Sequence, residues 1–327
     1  MSDLIAFGVR PDEKAFFEQY GKEHGHTIRL IPQALNRDNV GELKGYEGAC
    51  VLESIFDEAL LTDIHANGVK YLALRSVGYD SVDENVAKQL GIKVSNSSYS
   101  PASVAEFAVM LILMTMRKAR QITRHSDIQD FSLNGLDGHQ LSNSTVGIIG
   151  AGNIGATVAR CLSGFGCEIL AYDPYPNESL KSLVEYVELD ELLQRSDVIT
   201  LHTLYTGENY HMLGESEFNL MKNGVCLVNC ARGELIDGHA LIDALKSGKI
   251  MSAALDVVEG DQPLFNSNWN NEPIQDDIMR SLRSFPNVTI TPHIAFYTAN
   301  AVKEMVDHAL DNLIEFINTT EATNRVI

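Results

Sequence analysis

Basic charge is scarce in this 327-residue chain: 25 Lys and Arg stand against 44 Asp and Glu, for a formal net charge of −19. Binding to DNA, RNA or an anionic membrane needs patches of Lys and Arg, so the deficit argues against nucleic-acid and membrane partners. It leaves small anionic substrates open, because one local Arg outweighs diffuse charge beyond a screening length. Cysteine is sparse too. Cys50, Cys161, Cys167, Cys226 and Cys230 are scattered, odd in number and without zinc spacing to any His. No disulfide framework and no metal site are expected, and the thiols read as the reduced small hydrophobes of a cytoplasmic protein. The longest apolar run, 108–116, is too short to cross a bilayer and is flanked by Glu106 and Arg117. The N-terminus goes directly into a strand-like stretch without signal-peptide form, which also points to the cytoplasm. Repeats and low-complexity tracts are absent.

What is present is an ordinary globular composition, 45% apolar and 21% charged, at a length that suggests about two domains. Residues 1–100 alternate short strand-like stretches (4–9, 27–31, 48–52, 71–75, 93–96) with helical ones (12–24, 59–66, 84–90), the layout of a parallel α/β sheet. Pro101 then opens a helix expected to reach about residue 124, apolar nearly all round. A second α/β series follows, with strands expected at 146–150, 168–173, 198–202, 225–230, 252–257 and 288–291. The last helix, 299–317, is expected to cross back. The division anticipated is therefore a discontinuous substrate domain, 1–100 plus 299–327, and a dinucleotide-binding domain, 101–298. Both are expected to be doubly wound α/β units.

The strongest motif is Gly150-Ala151-Gly152-Asn153-Ile154-Gly155, which follows an apolar strand and opens a helix. Gly150 suits the tight turn, Gly152 lets backbone approach a pyrophosphate, and Gly155 lets helix pack closely on strand. The helix N-terminus offers amides and a positive dipole end to the phosphate. Asp173, at the end of the next strand, is placed to accept from a ribose 2′-hydroxyl and to repel a 2′-phosphate, which favours NAD over NADP.

Three further segments fall at strand ends, where open α/β sheets bind ligands. They are Val228-Asn229-Cys230-Ala231-Arg232-Gly233, the run from Leu255 to Asp261, and Thr291-Pro292-His293. One Arg, several carboxylates and one His suit reduction of a 2-keto acid. Negative charge develops on the carbonyl oxygen, so a positioned acid must deliver a proton, and His serves near neutral pH. A neighbouring carboxylate favours the protonated imidazole, and an Arg grips a carboxylate or keto oxygen with a fork of donors. Each residue also has a structural role open to it: Arg232 in a strand-end salt bridge, His293 as a core histidine, Asp256 as a turn cap.

With these motifs the chain resembles the D-isomer-specific 2-hydroxyacid dehydrogenases over almost its full length. Further stretches match: Met221-Lys222-x-Gly224, Leu74-Arg75-Ser76-Val77-Gly78, the run from Tyr99 to Glu106, Phe265-Asn266-x-x-Trp269, and His293 to Thr298 with Ala301-Val302. Within the family it is most similar to the D-lactate and D-2-hydroxyisocaproate dehydrogenases. The resemblance implies an NAD-dependent enzyme with His293 as acid/base and Arg232 binding substrate. The Val77 and Gly78 amides, with Tyr99, would hold the substrate carboxylate. Asn153, Ile154, Asp173, Thr203, Leu204, Asn209, Cys230, Ala231 and Asp256 would line the NAD site. The apolar helix from Pro101 would serve a homodimer interface.

Two departures stand out. The family usually places the Glu that partners its His five residues after the aspartate of the D-V motif, and here that position is Asp261. The shorter side chain loses ~1.5 Å of reach. Asp261 is the expected partner of His293, with Glu259 as the alternative. Two residues after His202 stands Leu204 where the family often has proline. Phe56, by its distance before Gly68 and Arg75, matches an aromatic that narrows the pocket in D-lactate dehydrogenases; the resemblance implies a small apolar wall of Phe56, Tyr99, Phe296 and Tyr297, while an ordinary core position is the alternative open to Phe56. Reduction of pyruvate to D-lactate, regenerating NAD, is then the leading expectation. A broader enzyme for branched or aromatic 2-keto acids is the runner-up. An NAD-sensing module like the C-terminal-binding-protein corepressors is the non-enzymatic alternative, disfavoured by the acidity and the lack of interaction tails. Gln where Asp261 stands would mark a formate-oxidising branch.

Overall fold

The computed structural model describes residues 3–52, 54–264 and 267–327. The chain divides into two compact units, Met1–Ser100 with Tyr297–Ile327, and Pro101–Phe296. The first unit begins with β1 (Asp3–Phe7), α1 (Lys14–His24), β2 (Thr27–Ile31), β3 (Gly48–Val51), α2 (Glu58–Ala66), β4 (Tyr71–Leu74), α3 (Glu84–Leu90) and β5 (Lys93–Ser95). All strands pair in parallel in the order β2-β1-β3-β4-β5, the flavodoxin-like winding. Two helix starts carry side-chain caps: Asp57 accepts from the Leu60 amide and Asp83 from those of Asn85 and Val86.

The second unit opens on α4 (Ala102–Met116) and α5 (Ala119–Asp127). Then come β6 (Thr145–Ile149), α6 (Asn153–Ser163), β7 (Glu168–Tyr172), β8 (Glu185–Tyr186), α7 (Leu189–Arg195), β9 (Val198–Leu201), α8 (Glu215–Leu220), β10 (Val225–Asn229), α9 (Gly238–Lys246), β11 (Ile250–Leu255), α10 (Asp277–Ser284) and β12 (Val288–Ile290). Its parallel sheet runs β12-β11-β10-β9-β6-β7-β8. Strand order reverses between β6 and β9, and in a doubly wound sheet that switch point is where a dinucleotide binds. The strands bury both faces. Apolar residues of one face pack on α4 and α6, those of the other on α7 to α10. The chain then returns to the first unit as α11 (Ala299–Thr319), which lays Val306, Leu310, Leu313 and Phe316 against Leu4, Ala6, Tyr71 and Phe17.

The elements depart from expectation at two points, the course of the helix from Pro101 and an added strand. The helix expected to run unbroken from Pro101 to about 124 stops at Met116, and the chain passes through Lys118 in the left-handed region (φ +51°) before α5 begins. The segment 135–139 causes the break. The His139 amide takes the Met116 carbonyl at 2.9 Å, Gly138 lies against that carbonyl, and the Lys118 ammonium donates to Gly135 O at 3.0 Å. Much of the apolar character of α4 goes into packing within its own unit, where Ala105, Ala108, Leu111, Ile112 and Met116 are buried; Met110 stays exposed. β8 was not anticipated, because two residues are too few to show a period.

Candidate active site

The glycine turn is bare for three different reasons. Gly150 follows β6 with φ +92°, and a Cβ there would lie 2.5 Å from the Thr203 amide nitrogen. A Cβ on Gly155 would lie 1.9 Å from the Gly150 carbonyl oxygen, so α6 crosses β6 this closely only because the position carries hydrogen. At Gly152 a Cβ would meet no protein atom within 4 Å, and Gly152 is the N-cap of α6. Open space therefore lies before that helix end. Asp173, just past β7, accepts the Ala151 amide (2.7 Å) on one oxygen and the Tyr175 amide (2.8 Å) on the other. The acid is thus locked beside the turn. Across the switch point, Asn209 accepts from the Thr206 amide and donates to Leu204 O at 2.7 Å, closing a short loop that leaves Leu204 exposed. Burial holds the His202 imidazole down at about 3, so it is neutral. A bare turn, an open helix N-terminus and a fixed acid fit a dinucleotide's pyrophosphate and ribose.

The ends of β10, β11 and β12 carry the reactive groups. Asn229, fully buried at the end of β10, donates to Arg232 O (2.8 Å), and its side-chain oxygen accepts the Ala231 amide (2.9 Å). Its own carbonyl takes the Asp256 amide. One buried amide side chain therefore shapes the loop that presents Cys230, Ala231 and Arg232. Burial pushes the Cys230 thiol well up, so it is no nucleophile at neutral pH. Asp256, at 2% exposure, accepts from Thr291 Oγ1 (2.5 Å) and the Ile294 amide (3.0 Å) on one oxygen and from the Ala295 amide (2.8 Å) on the other. Its carbonyl takes the His293 amide.

His293 sits in the left-handed region, φ +53°, a conformation that costs energy outside Gly and Asn and marks functional turns. Its Nδ1 lies 3.9 Å from Asp261 Oδ2, an ion-pair contact rather than a hydrogen bond. Asp261 is held in turn by the Val258 amide at 3.1 Å. Burial pushes the Asp261 carboxyl above its ordinary range, and the charges of His293 and Arg232 pull it back. His293, Asp261 and Arg232 therefore share one electrostatic neighbourhood. Glu259 faces elsewhere: it accepts from Tyr210 OH (2.7 Å) and from His211 Nε2 (2.8 Å).

Comparison with known proteins identifies the family. Residues 109–295 match the model of the D-isomer-specific 2-hydroxyacid dehydrogenase NAD-binding domain. The chain belongs to that family. An aromatic 2-oxoacid reductase of Clostridium sporogenes is 44% identical over 316 residues, covering 96% of each chain. A D-lactate dehydrogenase of Escherichia coli is 39% identical over 313 residues, 95% of each. A solved D-2-hydroxyisocaproate dehydrogenase superposes with a TM-score of 0.90 at 36% identity, covering 99% of each.

In the first unit the turn after β4 is pinned through its carbonyls. Asn96 donates to Val77 O (2.8 Å) and Ser76 Oγ to Gly78 O (2.7 Å). Behind the turn, Arg75 is completely buried and ion-paired to the equally buried Glu13 at 3.1 Å, while donating to the Phe7 and Gly8 carbonyls. Tyr99 is half-buried, and Tyr297 lies under the Arg10 guanidinium, 5.6 Å from ring centre. Phe296 is the last residue of the second unit. Phe56 requires a correction. Its ring is 1% exposed and packs among Leu35, Leu60, Leu61 and Val82, and its backbone bridges to the 81–83 segment. It is core, not pocket wall. Phe265 and Asn266, part of the resemblance, lie outside the described residues.

Asn229, Thr291, Tyr210 and His211 received no role from the sequence. A polar residue ending the apolar run Val225–Asn229 was a usable signal for Asn229. The Glu259–His211 pair, 48 residues apart, left none.

Proposed function

We propose that the protein reduces 2-keto acids to D-2-hydroxy acids, with His293 as the acid that protonates the carbonyl oxygen. NADH, when bound, supplies the hydride. His293 holds the proton, and Asp261 favours its imidazolium form through the 3.9 Å contact. Arg232, on the loop shaped by Asn229, binds the substrate's anionic end. The Val77 and Gly78 amides, in a turn whose carbonyls are already taken, are offered to a carboxylate, with Tyr99 beside them in sequence. Asp173 favours NAD by repelling a 2′-phosphate. Asn153, Ile154, Thr203, Leu204, Asn209, Cys230 and Ala231 complete the cofactor site in this reading. The observation that carries it is the convergence of His293, Asp261 and Arg232 at the strand ends of the sheet that holds the glycine turn.

For side-chain range, Phe56 lends pyruvate no support, because that residue lies in the core. The D-lactate dehydrogenase relative supports pyruvate at 39% identity; the aromatic 2-oxoacid reductase supports a wider pocket at 44%. With no ring at 56 to narrow the site, the wider range is favoured. Comparing kcat/KM for pyruvate, 2-ketoisocaproate and phenylpyruvate tests this. Clear preference for pyruvate restores the lactate reading, and no turnover of any of them overturns the enzyme assignment. The assembly proposed is a homodimer in the cytoplasm, which would cover the exposed Met110, Ile122, Ile128, Phe131 and Leu133 of the second unit. Among the described residues no helix is long and apolar enough to cross a membrane.

A further inference from the structure

Glu259 lies outside the proposed chemistry yet bridges from its loop to a second one. Its two oxygens accept from Tyr210 OH and His211 Nε2, whose rings stack 3.8 Å apart. The bond to Glu259 pushes the Tyr210 hydroxyl up to about 12, so it stays a donor across the working range. His211 is in the left-handed region (φ +52°), its amide donates to Glu234 O at 2.8 Å, and its Nδ1 lies 3.9 Å from Asp237. A third segment closes on the same spot: a Cβ on Gly233 would lie 2.1 Å from the Glu259 amide nitrogen. Three loops therefore meet at Glu259. One runs from Leu204 through Asn209 to His211, one carries Arg232, and one carries Asp256 and Asp261.

We propose that Glu259 is a positioning residue which, through Tyr210 and His211, clamps the 256–261 loop to the cofactor-side loop and so holds Asp261 opposite His293. The inference rests on the acid–base reading of His293 and Asp261. Asp261 contacts His293 at 3.9 Å, already at the limit of an ion pair, so a small drift of the loop ends the interaction. Nothing else in the 257–260 stretch reaches out to another loop by its side chain in a charge-assisted bond, which is why the clamp falls to this residue among those described.

The test measures the pH dependence of kcat for 2-keto acid reduction, NADH affinity and thermal midpoint in Glu259→Ala, Glu259→Gln, Asp261→Asn and the Glu259→Ala/Asp261→Asn double variant. Phenylpyruvate and pyruvate serve as substrates. Glu259→Ala is expected to lower kcat about 10–100-fold, the cost of a misplaced catalytic group. It should also move the high-pH limb down to where Asp261→Asn places it. Glu259→Gln, which keeps an acceptor and a donor in place, should retain the wild-type limb. The double variant should show no shift beyond either single one. A lowered thermal midpoint with kcat and limb unchanged in Glu259→Ala would make the cluster merely structural and overturn the proposal. If Asp261→Asn itself leaves the limb unmoved, the acid–base reading fails, and the inference with it. Should Glu259→Ala not fold, Tyr210→Phe combined with His211→Gly removes both donors while Gly tolerates the left-handed backbone. The same shift is expected, and an unmoved limb overturns the clamp.

Discussion

His293 hangs from the backbone of Asp256: its amide donates to the Asp256 carbonyl at 2.8 Å, while the Asp256 carboxylate gathers Thr291, Ile294 and Ala295 around it. A fully buried carboxylate thus shapes the strained turn that aims the imidazole. Asp256→Ala leaves two amides and a hydroxyl without their acceptor. At about 1–3 kcal/mol for each buried donor left unsatisfied, the variant is expected to lose several kcal/mol of stability and most activity in its folded fraction. Chemical denaturation read beside kcat checks this; a wild-type midpoint would show that the turn holds without its acid.

His293→Ala removes the proposed proton donor and leaves the glycine turn untouched. kcat is expected to fall by about 10²–10⁴-fold while NADH affinity holds. Steady-state rates with fluorescence titration of NADH separate the two. A variant that keeps its turnover would move the acid to another residue.

Asp261→Asn changes two pH dependences, with opposite consequences for activity and stability. In the proposed mechanism reduction needs imidazolium at His293, the form that the Asp261 anion would favour. Loss of that anion lowers the pH at which reduction falls away. For stability, burial raises the Asp261 carboxyl above its ordinary value of 3.8, so the group's favourable contribution is complete below 3.8 and is lost as pH rises through the raised value. At neutral pH the ionised carboxylate therefore costs stability. The Asn variant should unfold at a higher temperature than wild type at pH 7, with the gain vanishing below about pH 4. A lower thermal midpoint at pH 7 would contradict the burial argument.

What was legible in the chain followed how local its cause was. Gly150, Gly152 and Gly155 were readable as one short motif between a strand and a helix, with the Gly155 contact to the Gly150 carbonyl wholly local, and the left-handed turn at His293 falls in an equally short Thr291-Pro292-His293 stretch. The stop of α4 at Met116 was not, since its cause, the 135–139 segment, lies about twenty residues downstream. Phe56 misled because an aromatic just before a helix serves core or pocket equally well, and only the packing of Leu35, Leu60 and Val82 around it decides. Glu259 stands in the sequence as the alternative to Asp261 for His293, and no local pattern marks that His211 claims it.

Asp173 separates cofactor selectivity from turn architecture, because its two oxygens already hold the Ala151 and Tyr175 amides. Asp173→Asn keeps an acceptor for one of these amides but removes the charge. If the charge repels a 2′-phosphate and accepts a ribose hydroxyl, kcat/KM with NADH should fall by about 10–100-fold, the worth of a hydrogen bond to a charged group, while NADPH gains. Asp173→Ala should lose NADH use to a similar degree and thermal stability as well, since both amides lose their acceptor. The ratio of kcat/KM for the two cofactors is the deciding measurement. A ratio unchanged in Asp173→Asn would leave the carboxylate as a turn clamp alone and shift the choice of NAD to another group.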